Sequence, residues 1–538
     1  MPTRVLLGDE ALAQGAIDAG LSGAYAYPGT PSTEITEYVQ HSPEGKDGQV
    51  RCQWSANEKT ALEAAIGMSF AGKRAMASMK HVGLNVAADP FVNAALVGAN
   101  GGLMINVADD PSMHSSQNEQ DTRVYTDLAL MPCIEPATQA EAYAAPAMAF
   151  DLSERLEIPV LVRLTTRLAH SRATIETGAK RDQNEFHLPE DERRYILLPA
   201  IARGRYEELL AKQPDLLKAS ETSAFTHYTD AEDRSLGIIA CGIAYNYLME
   251  ATGGEHPHPI LKIGQYPIPQ AHIERMVAEC DAILVVEEGY PYVEEKLRGL
   301  PARTEPQIRG RLSGHLPRTG ELNPQLVAHA LGIETPKLRL TSSIPAPRPP
   351  ALCPGCPHID TANALKEALS DQPNGRVFGD IGCYTLSALP PYEVVDTCVE
   401  MGGSITLAKG SADAGLHPAV ALIGDSTFAH SGMAGLLDCV NDDSSVTILI
   451  VDNLTTAMTG GQESSARNRL ATLCAGIGVD EAHIRVIQPL PNQHEANVAV
   501  LREEMAFNGP SVVIAERECI QTARRKARAK KASSGGTA

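Results

Sequence analysis

Tryptophan is nearly absent from this 538-residue chain, which has a single one, and phenylalanine occurs only eight times. Its cores are therefore expected to be mainly aliphatic. Long apolar runs are missing too: no stretch reaches roughly 18 uninterrupted apolar residues, so no membrane span is expected. The opening "MPTRVLLGDEALAQGAIDAG" carries acids in its first turns and has no long apolar core. It reads as neither signal nor transit peptide, and the expected compartment is cytoplasmic. Positive charge is scarce: 46 Lys and Arg stand against 66 Asp and Glu, a formal charge of −20. Phosphate would be repelled over most of such a surface, which argues against nucleic acid as a partner. The local exception is the basic end "ARRKARAKKASSGGTA". Disulfides are rare in a reducing compartment, so the eleven cysteines need another reason, either small buried side chains or metal ligation.

Short apolar runs alternate with Ala-rich helical stretches through residues 1–190. "GAYAYPGTPSTEITEYV" reads as strand, Pro-Gly loop and a helix opening at Ser32 or Thr33, and "GGLMINVADD" and "EIPVLVRLTTRLAHSRA" supply further strands. Such alternation predicts parallel sheets flanked by helices, an α/β fold with sites beyond the strand carboxyl ends. Residues 191–235 are polar and predict a helical connector. A second strand–helix series spans 236–335, and a Pro-rich linker spans 336–352. A third α/β unit follows over 353–525, and a basic tail, expected to be disordered, over 526–538. The first and third units look like two versions of one layout.

Chemistry enters at "LIGDSTFAHSGM", where an apolar strand runs into Gly424-Asp425-Ser426. Asp425 alone is equally a helix cap. However, Asn453, in "LIVDNLTTAMTGGQ", follows Ser426 after 26 intervening residues (427–452) and also ends an apolar strand. Two such oxygens with a backbone carbonyl, that of Thr455, suit a hard Mg²⁺ ion bridging to phosphate. The spacing fits a thiamine-diphosphate signature, with Ser426 in place of its second Gly and Leu454 in place of its second Asn. Thiamine also needs a carboxylate on its aminopyrimidine ring, from a different α/β unit. Glu58, at the head of the helix in "WSANEKTALEAAIGMSFAGKRAMAS", is favoured. Glu63 on the same helix is its competitor.

The cysteines fall into two groups. Cys353 and Cys356 in "CPGCPH", Cys383 in "GDIGCYTL" and Cys519 after the final strand all sit at loops or strand ends of one unit. The C-x-x-C pair alone is also a redox pair or a zinc half-site. Four such thiols make a better case for an iron–sulfur cluster. Cys474 is the rival for fourth ligand, and the remaining cysteines are read as structural.

Together these blocks resemble the large subunit of the indolepyruvate oxidoreductases, within the 2-oxoacid:ferredoxin oxidoreductases. The resemblance covers about residues 5–525 and includes "YPGTPSTE", "KHVGLNVAADP", "DDPSMHSSQNEQDTR", "CPGCPH", "GDIGCYTL", "MGGSI" and "GDSTFAHSG". It implies a multi-domain thiamine-enzyme architecture: a pyrimidine-binding domain over 1–190, a transketolase C-terminal-like domain over 236–335 and a diphosphate-binding domain over 353–525. It also implies oxidative decarboxylation of an aryl 2-oxoacid, with acyl transfer to coenzyme A. The resemblance makes Glu58 the ring-activating carboxylate and Asp425 and Asn453 the Mg²⁺ ligands, beside the Thr455 carbonyl already read as the third. Gly382, Met401, Gly402, Gly424 and Ser426 join the cofactor cradle, and Cys353, Cys356, Cys383 and Cys519 the ligands of one [4Fe–4S] cluster. Tyr27, Thr30 and Ser32 fall in the substrate loop, with Lys80 and His81 assisting there or serving as solvated or capping side chains.

One departure stands out. The family's large subunit usually continues into a ferredoxin-like domain with eight further cysteines, and this sequence has none after Cys519. The expected partners are therefore a smaller β subunit and a ferredoxin or separate ferredoxin-like subunit, in a dimer of heteromers. A non-oxidative thiamine decarboxylase or carboligase is the alternative, although it has no need of the four thiols. A non-catalytic scaffold would not require Glu58, Asp425 and Asn453 together.

Overall fold

The computed structural model describes residues 2–191, 193–299, 306–334 and 350–534. The Pro-rich linker expected at 336–352 lies outside the described residues up to 349. The chain divides into two compact units, 1–340 and 341–538. Both are α/β, with largely parallel sheets flanked by helices, as the alternating pattern predicts.

The first unit holds a seven-stranded sheet. Its order is Gln265–Tyr266, Cys133–Ile134, Val160–Thr165, Leu103–Asp109, Ala75–Lys80, Gly23–Ala26, Arg51–Trp54. Every pairing is parallel except that of the first edge strand. A five-stranded sheet built on Gly237–Cys241, Ile260–Ile263 and Ala282–Val286 follows in the same unit. The stretch expected as a domain of its own over 236–335 thus returns one strand, Gln265–Tyr266, to the first sheet. The predicted connector contains the helix Pro199–Glu221.

Where the two sheets meet, two fully buried arginines hold them together. Arg163 Nη2 donates to the Glu288 carbonyl at 3.2 Å, and Arg123 Nη1 to Glu287 Oε2 at 3.0 Å. Asp121 lies between the two guanidinium groups, 2.5 Å from Arg123 Nη2 and 3.4 Å from Arg163 Nη2. Burying that many charges is tolerable only because each finds a partner.

The second unit is built on a fully parallel six-stranded sheet. Its order is Thr397–Cys398, Arg376–Gly379, Ala419–Gly424, Val446–Asp452, Ser511–Glu516, Ile484–Ile487. The run "VTILIVD" is apolar at successive positions because both sheet faces are covered. Ile448 and Ile450 enter one core, Leu449 and Val451 the other. Complete burial of such a side chain contributes about 1.5–3 kcal/mol, so this strand fixes the register of its neighbours.

The basic tail differs from expectation. Residues 526–534 belong to a helix, Ile520–Ser534. Its Ala, Arg and Lys residues are strong helix formers. The helix is also anchored in the body of the unit, where Arg525 donates to the carbonyl of Gly460.

Candidate active site

The strands ending at Gly379, Gly424, Asp452 and Glu516 are parallel neighbours, so their carboxyl ends share one edge of the six-stranded sheet. The chain leaves Arg376–Gly379 towards the Thr397–Cys398 edge and returns to Ala419–Gly424 on the other side. This is a topological switch point, where open α/β sheets bind ligands. Asp380 and Asp425 flank it.

Asp425 is 2% exposed, and its Oδ2 has no hydrogen-bond partner. Burial and the neighbouring Asp452 push its carboxyl up to about 7. Asp452 is raised as well, chiefly by burial. Two adjacent buried carboxyls with an orphaned oxygen fit a cation, which would supply the missing positive charge. Asn453 is fixed beside them. Its Oδ1 accepts from Thr455 N at 3.1 Å, and its Nδ2 lies 3.2 Å from His358 Nε2. Ser426 Oγ meets Thr456 Oγ1 at 2.9 Å. Burial also raises Asp380, to about 7, and it accepts from Ser404 Oγ at 2.7 Å and from Tyr384.

The glycines of this edge have a steric reason. Gly402 has φ +90°, and a Cβ there would lie 1.8 Å from Ser431 Oγ. The same Ser431 hydroxyl donates to the Met401 carbonyl at 3.0 Å. A Cβ on Gly382 would lie 2.2 Å from the Tyr384 ring, and one on Gly424 2.9 Å from it. At these positions Ser431 and the Tyr384 ring pack directly against the backbone and leave no room for a side chain.

Cys353, Cys356, Cys383 and Cys519 line one cavity of about 100 Å³, together with His358 and Asn453. The pair precedes the helix Pro357–Ala368, Cys383 follows the strand Arg376–Gly379, and Cys519 follows Ser511–Glu516. Cys519 N donates to the Asn453 carbonyl at 3.1 Å, so the cavity and the Asp425 edge share a backbone contact. Burial pushes Cys383 up to about 12, and the other three thiols act in the same direction. Four thiolates on one cavity are a soft donor set that fits a cluster.

The remaining candidates lie in the first unit. Glu58 is the first residue of the helix Glu58–Phe70, capped by Asn57, and is 6% exposed. A Cβ on Gly83 would lie 2.5 Å from Glu58 Oε1, so the chain closes over the carboxyl. Glu63 points to solvent and pairs with Lys59 one turn away. Lys80 ends the strand Ala75–Lys80 and is buried rather than solvated. Its Nζ donates to the Ser115 carbonyl at 2.6 Å, and Ser115 Oγ reaches the Thr30 carbonyl at 3.3 Å. Burial lowers the Lys80 ammonium to about 8, against the pull of Asp110. His81 is buried, with Nε2 3.4 Å from the Asn118 carbonyl. Tyr27 is buried in the same loop, where Ser32 Oγ donates to the Gly29 carbonyl at 2.7 Å.

Residues 14–209 match the family described as pyruvate flavodoxin/ferredoxin oxidoreductase, thiamine-diphosphate binding, and residues 380–515 the thiamine pyrophosphate enzyme C-terminal TPP-binding domain. The chain is 38% identical to indolepyruvate oxidoreductase subunit IorA of Archaeoglobus fulgidus, over 96% of this chain and 86% of that one. It is 39% identical to the IorA subunit of Methanothermobacter thermautotrophicus, over 85% and 76%. The chain belongs to the IorA family. It is an α subunit of the 2-oxoacid:ferredoxin oxidoreductase class, whose chemistry is thiamine-dependent oxidative decarboxylation of 2-oxoacids. A 2-oxoglutarate:ferredoxin oxidoreductase from Magnetococcus marinus, solved with 2-oxoglutarate, coenzyme A and succinyl-CoA, shares the fold. Its TM-score is 0.50 at 16% identity, covering 61% of this chain and 65% of that one.

Against this IorA background, the rival thiol Cys474 lies in the core on the helix Leu470–Ile477, away from the cavity lining. Cys398, expected to be structural, is exposed at the end of the edge strand. Sequence reasoning missed His358 and Asp380. Both stand beside residues it chose: His358 closes "CPGCPH", and Asp380 opens the loop to Cys383. No described helix is long and apolar enough to cross a membrane.

Proposed function

We propose that this chain oxidatively decarboxylates an aryl 2-oxoacid and passes the acyl group to coenzyme A. Electrons leave through one [4Fe–4S] cluster on Cys353, Cys356, Cys383 and Cys519 to a ferredoxin or ferredoxin-like partner. The smaller β subunit completes the assembly, a dimer of heteromers. The observation that carries this reading is the convergence of four thiols on one cavity beside Asn453. When bound, thiamine diphosphate supplies the electron sink for decarboxylation, and the cluster accepts electrons singly.

The chain's own residues have separable roles. Asp425 and Asn453, with the Thr455 carbonyl, would hold Mg²⁺ and so help to bind the diphosphate, with Gly382, Met401, Gly402, Gly424 and Ser426 lining that edge. Glu58, buried beside Gly83, would keep a proton in exchange with the aminopyrimidine nitrogen. Lys80 in its ammonium form attracts the substrate carboxylate, with Thr30, Ser32, Tyr27 and His81 shaping the loop.

Anaerobically purified chain is expected to carry about four irons, with absorbance near 400 nm. It should show 2-oxoacid-dependent reduction once the β subunit and an electron carrier are added. One zinc per chain and no iron would overturn the redox reading and leave a non-oxidative decarboxylase.

A further inference from the structure

Far from these residues in sequence, three ligating side chains meet in the first unit. Asp9 is the second residue of the helix Gly8–Asp18, Glu34 the second of Thr33–His41, and His170 the last of Thr166–His170. One ligand atom from each lies within 4.8 Å of the other two. Glu34 Oε2 is 3.5 Å from His170 Nε2. The backbone brings them together closely: a Cβ on Gly8 would lie 2.2 Å from the Leu168 carbonyl oxygen.

Asp9 is the anomaly. It is 0% exposed, and neither of its carboxylate oxygens has a hydrogen-bond partner. Glu34 has His170 as its counterpart, and that contact holds its carboxyl below the usual range, but among the described residues no lysine or arginine pairs with either acid. A buried carboxylate without a donor costs several kcal/mol, and a second acid within ligand distance adds to that cost. Burial, Glu34 and Glu10 all push the Asp9 carboxyl upwards.

We propose that Asp9, Glu34 and His170 form a binding site for one divalent transition-metal cation, separate from the Mg²⁺ and cysteine sites. A divalent ion neutralises both acids and takes the imidazole nitrogen as third ligand. Two carboxylates and one imidazole suit Zn²⁺ or Mn²⁺; Mg²⁺ and Ca²⁺ prefer all-oxygen shells. Bonds of about 2.0–2.2 Å require ligand atoms roughly 3.3–3.6 Å apart in tetrahedral geometry. The Glu34–His170 pair already meets that spacing at 3.5 Å. Both of these side chains are 35% exposed, giving an entry path and room for a water as fourth ligand. Asp9 and Glu34 lie in first helical turns, whose partial positive charge costs a cation about 0.3–1 kcal/mol. Pairing a buried carboxylate outweighs this. The ion ties Gly8–Asp18 and Thr166–His170 to the helix that follows the "YPGTPS" loop, and so fixes the base of that loop.

Equilibrium dialysis of the metal-stripped full chain against Zn²⁺ tests the site by difference. Wild type is expected to bind one equivalent more than Asp9→Asn and one more than His170→Ala, since the cysteine and Asp425 sites are common to all three. Zn²⁺ should also raise the Tm of wild type more than that of either variant. His170 is partly exposed, so His170→Ala keeps the comparison available if Asp9→Asn folds poorly. Equal Zn²⁺ uptake by wild type and His170→Ala would overturn the proposal, and would leave Asp9 as a buried protonated acid.

Discussion

Asn453 Nδ2 lies 3.2 Å from His358 Nε2, and both residues line the cavity shared by the four cysteines. The Thr455 N–H occupies Asn453 Oδ1, so the amide must donate to the ring. His358 therefore carries its proton on Nδ1, and complete burial lowers it to about 4, which keeps the ring neutral. One imidazole thus orients a proposed Mg²⁺ ligand from within the cysteine cavity. His358→Leu leaves the buried amide unpaired, at a cost of about 1–3 kcal/mol. The Kd for Mg²⁺–thiamine diphosphate is expected to rise about tenfold or more, measured by calorimetry, with iron content retained. Equal loss of iron and cofactor would show that His358 supports the whole loop instead.

Glu58 and Glu63 share a helix but differ in surroundings. Glu58→Gln is expected to preserve thiamine binding and to slow C2–H exchange of the bound cofactor by about 10²-fold or more, because an amide cannot trade a proton with the ring. Glu63→Gln removes only an exposed pair with Lys59, and exchange should remain within about twofold, the scale of a surface ion pair. NMR of bound thiamine in D₂O measures both.

Lys80 links substrate binding to pH. Burial lowers its ammonium to about 8, so the charged form prevails below that pH and is lost as pH rises through it. In the assembly with its β subunit, the KM for the 2-oxoacid should climb as pH increases past about 8. Lys80→Met should show a KM about tenfold higher, ~1.4 kcal/mol of binding, and no rise over that range. A wild-type KM that is flat through pH 8 would remove Lys80 from substrate recognition.

Leu454 holds φ +64°, left-handed for a half-buried leucine. Such a conformation costs a branched side chain about 1–2 kcal/mol, whereas asparagine tolerates it. Leu454→Asn is expected to raise stability by about 1 kcal/mol in urea unfolding, without loss of thiamine binding. Destabilisation would mean that the leucine side chain packs better than its backbone is strained.

Local chemistry already determined much of this protein in the sequence. Apolar runs ending in Gly-Asp or Asp-Asn are parallel strands covered on both faces, with polar groups at their carboxyl ends, and that pattern needs no distant partner to be read. The helix opening at Ser32 or Thr33, found to begin at Thr33, and the helical stretch within 191–235 were legible too, since local sequence pattern acts within a few residues.

Tertiary structure decided what depends on burial and on distant segments. Periodicity could not separate Glu58 from Glu63, or Cys519 from Cys474. One member of each pair is set apart only by the strands and loops that cover it. Gln265–Tyr266, from the second strand–helix series, adds an edge strand to the first sheet. Arg123 reaches Glu287 across 164 positions of sequence, and Asp9, Glu34 and His170 come from three separate helices. Arg123 and Glu287 acquire each other only when the sheets pack, because leaving water is tolerable for a charge that finds an opposite charge or a donor; Asp9, buried without either, is the exception that the proposed cation answers.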